Sequence, residues 1–245
     1  MSKTIEFKTC RVKRRHEWLS RGQASAPIEL VVAVIILVAS MGLAFTVLQS
    51  TQSAQCIDKT KSQMRGLEAV MLDVALGSPS TLRETKLELS SCGADSIEAI
   101  RIVYYDSPSY CAKCSTSAAG CWKIEPLAYR ASEKEYFVVP DAVICVNNMP
   151  GRVLLEADED SCSSSGLIST PHTSGEAGCP VNVKDHKSIN CGLPPTLSSL
   201  SNSKLLTMGK APGETQYTVR IAKAFDTASG DPRLKICFMG KEQVT

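Results

Sequence analysis

Cys111-Ala-Lys-Cys114, with Cys121 close behind, is the densest group of reactive side chains in the chain. Two cysteines at this spacing could grip zinc, shuttle electrons or form disulfides. A structural zinc site commonly pairs two such knuckles. Here the next cysteines, Cys145 and Cys162, stand alone. A thioredoxin-type redox role needs a βαβ context, and the flanking residues lack that pattern. The residue types therefore favour disulfides over a metal or redox centre.

Other chemistry finds less support. Glu156, Asp158, Glu159 and Asp160 offer oxygens for calcium, but there is no central Gly and no distal Glu to complete an EF-hand loop. A solvated acidic loop is the expectation. The three histidines are His16, His172 and His186. No GxSxG, HExxH or phosphate-binding loop occurs. Neither an enzyme nor a cofactor is expected. Trp122, beside Cys121, is expected to pack in a core against a disulfide, and no Asn-x-Ser/Thr sequon is present.

The segment that must position these groups begins near the N-terminus. Residues 26–48 carry one charge, Glu29, and residues 30–57 carry none. About 20 apolar residues span a bilayer as a helix. Seven basic residues (Lys3, Lys8, Arg11, Lys13, Arg14, Arg15, Arg21) precede it against Glu6 and Glu17. That excess predicts a cytoplasmic N-terminus and an extracytoplasmic remainder. Removing the head from totals of 27 basic and 25 acidic residues leaves 20 and 23. A remainder this close to neutrality makes no electrostatic case for nucleic acid.

The cysteines agree with that topology. Cys10 lies in the basic head. Cys56, Cys92, Cys111, Cys114, Cys121, Cys145, Cys162, Cys179, Cys191 and Cys237 all follow the apolar segment. An even number on the oxidising side reads as a disulfide framework whose pairing the sequence leaves open.

Further along, Ile57, Met64, Leu67, Val70, Met71, Val74 and Leu76 recur at helical spacing between charged residues, until Gly77 and Pro79 signal a stop. One helix is expected over 23–77, apolar over 26–48 and amphipathic over 49–76. From Thr85 the period becomes two. Strands are expected around 85–89, 100–104, 122–124, 136–146, 217–221 and 234–238. Strands that follow one another without helices argue for an antiparallel sheet. The predicted fold is α+β and disulfide-rich, a long N-terminal helix packed on an antiparallel sheet. The expected organisation is a leader over 1–22, the helix, a β domain over 80–155, an irregular Cys/Ser-rich stretch over 156–204, and a closing hairpin or small second lobe over 205–245.

The order of basic head, Arg21-Gly22, Gln23, Ser25, Glu29 and long apolar helix resembles a type IV prepilin, in particular the archaeal form with its class III signal peptide. The resemblance covers roughly residues 11–77. It implies cleavage by a prepilin peptidase on the cytoplasmic side, with the helix retained. Cutting between Gly22 and Gln23 follows the charged neighbour Arg21. Cutting between Ala24 and Ser25 puts Glu29 at the fifth mature position, the family's usual place; the first cut puts it seventh. The resemblance further implies partners: the membrane, the peptidase and other pilin subunits, with Glu29 meeting a neighbour's new amine in a cell-surface filament. The rival reading is an uncleaved, single-pass anchored binding or adhesion module whose Glu29 rests among the lipid headgroups.

Overall fold

The computed structural model describes residues 26–89, 91–92, 95–114, 120–130, 132, 135–158, 168–169, 202–210 and 213–240. The expected leader, most of the 156–204 stretch and the last five residues lie outside them. The chain divides into two compact units, Met1–Ser50 and Thr51–Thr245. The helix α1, Ala26–Leu76, contributes to both.

Helix α1 stops where the sequence says it should. The Gly77 N–H donates to the Asp73 carbonyl. A Cβ at Gly77 would stand 2.7 Å from that carbonyl oxygen. Within the second unit α1 buries one stripe: Thr60, Met64, Leu67, Met71, Val74 and Ala75. Those positions recur at three- and four-residue steps, the spacing of one helical face. Leu76, expected on that face, is 63% exposed.

The strands follow as β1 (Leu82–Glu88), β2 (Ser91–Cys92), β3 (Asp95–Tyr105), β4 (Cys121–Arg130), β5 (Glu135–Val138), β6 (Ile144–Val146), β7 (Leu154–Ala157), β8 (Ile168–Ser169), β9 (Leu205–Gly209), β10 (Gln216–Phe225) and β11 (Pro232–Gly240). They make two sheets. One has the order β1-β10-β11-β7; the other runs β5-β4-β3-β9-β8, with β2 on β3 and β6 on β4. The fold is thus α+β, one long apolar N-terminal helix plus largely antiparallel sheets.

One pair departs from the antiparallel expectation: β7 lies parallel to β11, with Leu155 opposite Leu234. The expected irregular stretch also begins late, because Glu156 and Ala157 belong to β7. Parallel neighbours need a long crossover, and the chain between β7 and β11 supplies one. Local sequence reports strand character but says nothing of which distant strand will lie alongside.

The inner faces of both sheets meet the α1 stripe in one core. It holds Leu87, Ile100, Ile102, Tyr104, Trp122, Ile124, Leu155, Met208, Val219, Ile221, Leu234, Ile236 and Phe238. Their alternation along β3, β10 and β11 is the period of two that the sequence displays. Tyr217 and Phe238 stack with ring centroids 4.3 Å apart.

Candidate assembly helix and disulfide-pinned turn

In the first unit, every residue from Ile28 to Leu48 is exposed. Ile28 and Leu30 are each 66% exposed, and Phe45 is 68% exposed. Glu29 lies between Ile28 and Leu30 in the first turn of α1. The most apolar window of α1 has a mean hydropathy of 2.8 and no buried residue. By length and composition this helix can cross a bilayer. Three of its hydroxyls bond back within the helix. Ser40 donates to the Leu37 carbonyl at 2.9 Å, Thr46 to Leu43 at 2.8 Å and Ser50 to Val47 at 2.9 Å. Back-bonding of this kind spares an apolar medium from exposed donors. The candidate processing residues Gly22, Gln23, Ala24 and Ser25 lie outside the described residues.

In the second unit, the CxxC motif occupies a tight turn. A short 3-10 stretch, Pro108–Cys111, leads into it, and the Cys114 N–H donates to the Cys111 carbonyl at 2.8 Å. The two cysteines do not pair with each other. Cys111 bonds Cys121 at the start of β4, with a Cα separation of 5.8 Å. Cys114 bonds Cys145 in β6, with a Cα separation of 5.5 Å. All four sulfurs are thereby committed to disulfides. Cys56 and Cys237 are disulfide-bonded as well. Cys10, Cys162, Cys179 and Cys191 lie outside the described residues, and Cys92 falls in β2. Among the described residues, no group of three or more His, Cys, Asp or Glu side chains could hold a metal ion.

Trp122 follows Cys121 into the core, 1% exposed. Its Nε1–H donates to the Pro150 carbonyl at 3.1 Å, and its ring lies 5.2 Å from Tyr104. The turn meets β4 through Gly120, whose φ is +109°. A Cβ there would stand 2.4 Å from the Tyr105 carbonyl oxygen.

Tyr105, which packs against Cys111 and Cys121, belongs to a buried charged group. Arg101 and Glu125, on the faces of β3 and β4 opposite the main core, are buried. Arg101 donates through Nε and Nη2 to Glu125 Oε2, at 2.9 and 2.6 Å. Tyr105 donates its hydroxyl to Glu125 Oε1 at 2.9 Å. Lys123 Nζ sits 5.1 Å above the Tyr105 ring. Burial, and next the Glu125 charge, push the Tyr105 phenol well above its ordinary value. Only the embedding of Arg101 among Ile, Val and Tyr hinted at this in the sequence.

Glu156 and Asp158 do not form an open acidic loop. Glu156 sits in β7 and accepts from Arg233 Nη1 at 2.8 Å, while Arg233 Nη2 bonds Asp226. Asp226 also accepts from the Ser229 N–H and hydroxyl. Those Ser229 bonds, ahead of the Arg233 charge, hold its carboxyl below the usual range. Glu159 and Asp160, like His16, His172 and His186, lie outside the described residues.

No family model matches this chain, and no curated protein or solved structure matches it either.

Proposed function

We propose that this chain is a structural subunit of a type IV pilus-like cell-surface filament, processed by a prepilin peptidase and assembled through its apolar N-terminal helix. The observation that carries the reading is the 28–48 stretch of α1, exposed and apolar on every side, with Glu29 in its first turn. Such a surface is stable only in lipid or among other apolar helices. Before assembly it sits in the membrane, with the basic head cytoplasmic. On assembly, neighbouring helices replace lipid around it, and the disulfide-braced sheets lie outside the helical core.

Glu29 gives this exchange its register. A carboxylate carried to the bilayer centre costs roughly 2.5–3.5 kcal/mol or more. Paired with a neighbour's N-terminal amine, as the pilin resemblance implies, it would instead favour one axial offset. The size and cysteine content of the second unit suit a minor or tip subunit.

The test joins processing to assembly. Membrane-extracted protein should lose its first 22 or 24 residues and keep the helix, as read by intact mass. Glu29→Gln and Glu29→Leu should preserve export and disulfides while lowering filament yield at least several-fold. Full-length protein in the membrane, with equal behaviour of all three chains, would instead establish the uncleaved anchored module.

A further inference from the structure

The two bridges that pin the CxxC turn differ in exposure. Cys111 and Cys121 are 4% and 3% exposed, whereas Cys114 and Cys145 are half-buried. Cys114 packs against the small cluster that contains Cys111, Cys121, Val103, Tyr105 and Leu205. The Cys114 N–H to Cys111 carbonyl bond closes a four-residue turn. A turn so closed keeps its end Cα atoms within about 7 Å, and disulfides span Cα separations of about 4.4–6.8 Å. Each cysteine of the motif thus has two possible partners, and in the folded state each is bonded to the distant one.

We propose that Cys114–Cys145 is a thiol-exchange site, and that opening it passes a disulfide inward to Cys111–Cys114, releasing Cys121. The co-reactant is a low-molecular-mass thiol. Its thiolate attacks Cys145 Sγ; the Cys114–Cys145 bond breaks, a mixed disulfide forms on Cys145, and Cys114 leaves as a thiolate. Lys113, exposed beside it, favours that thiolate electrostatically. Cys114 then attacks Cys111 Sγ. The Cys111–Cys114 bond forms, the Cys111–Cys121 bond breaks, and Cys121 takes a proton from water. One thiol and two disulfides become one mixed disulfide, one internal disulfide and one free thiol, so electrons balance.

The consequence is mechanical. In the starting state the turn is tied to β4 through Cys121 and to β6 through Cys145. After exchange it is tied only to itself, and its packing against Tyr105 loses both covalent attachments. The buried bridge is reached through the half-buried one, so the turn responds to a thiol that could not reach Cys121 directly.

The test uses the full-length protein in detergent, titrated with 2-mercaptoethanol, quenched with N-ethylmaleimide and mapped by mass spectrometry. The expected order is modification of Cys145 first, then Cys111–Cys114 linked peptide appearing together with alkylated Cys121. A Cys114→Ser/Cys145→Ser variant should hold Cys111–Cys121 closed to at least tenfold higher thiol. Opening of Cys111–Cys121 in wild-type molecules whose Cys145 is unmodified, or alkylated Cys121 without the Cys111–Cys114 link, overturns the proposal. So does a variant whose Cys111–Cys121 bridge opens as readily as the wild type's. Should the variant not fold, the wild-type order alone decides.

Discussion

Arg101 and Glu125 stand directly opposite each other across β3 and β4, their side chains 0% and 5% exposed. A cross-strand pair at such depth has no water to screen it. Removing one partner leaves the other charge buried and uncompensated, which costs about 3–5 kcal/mol. Arg101→Met and Glu125→Gln should each destabilise the second unit on that scale. Arg101→Met/Glu125→Leu together should cost less than either single change. Urea unfolding of a full chain carrying Trp18→Phe, in detergent and followed by the fluorescence of Trp122, reads the difference; additive losses in the double variant would show that the pair acts independently.

Lys223 caps α1 from a distance. Its Nζ donates to the Ala75 carbonyl at 2.8 Å and to the Gly77 carbonyl at 2.6 Å. The last turn of α1 has no basic residue of its own, so β10 supplies the cation that a helix C-terminus favours. Lys223→Met keeps the aliphatic stem and removes the charge. We expect a loss of about 1–2 kcal/mol in unfolding free energy, with amide exchange rising first around residues 73–77.

Two glycines should respond with opposite signs to the same change. Gly66 lies inside α1, and a Cβ there would meet only the Thr85 hydroxyl, at 3.7 Å, an ordinary contact. Gly66→Ala should stabilise by about 0.5–1 kcal/mol through helix propensity. Gly120, with its positive φ and the Tyr105 carbonyl at 2.4 Å from a built Cβ, has no such room. Gly120→Ala should cost about 3 kcal/mol or more and lower the yield of the Cys111–Cys121 bridge. Thermal melts of the two variants check both signs.

Alkaline pH should act through two tyrosines. Burial first, then Glu125, raises the Tyr105 phenol, and burial first, then Glu98 and Tyr129, raises that of Tyr136. Their folded-state values exceed the unfolded value of 10.0. Their contribution to stability is therefore complete below pH 10 and is lost progressively as pH rises beyond it. Absorbance at the tyrosinate band should show Tyr105 and Tyr136 titrating late, together with unfolding. Tyr105→Phe/Tyr136→Phe should remove the late phase.

What the sequence determined by itself is what nearest neighbours control. The long apolar helix follows from a charge-free run and its end from Gly77, because both depend on residues within one or two turns. The strands at Ile100–Tyr104, Tyr217–Ile221 and Leu234–Phe238 follow from alternation, since side chains of one strand must face opposite ways. The even cysteine count after the apolar segment pointed to disulfides, and two bridges now have partners.

Tertiary structure alone decided which distant groups meet. The pairing of Cys111 with Cys121 and Cys114 with Cys145 depends on where β4 and β6 bring their sulfurs. The parallel placement of β7 beside β11, and the reach of Lys223 to the end of α1, join residues more than seventy positions apart. Alternation sets Arg101 on the face of β3 opposite Ile100 and Ile102; the structure buries that face too, because both sides of β3 and β4 are covered. A charge in a strand reads as surface until something packs over it, and what packs over it is settled by the whole chain, not by its neighbours in sequence.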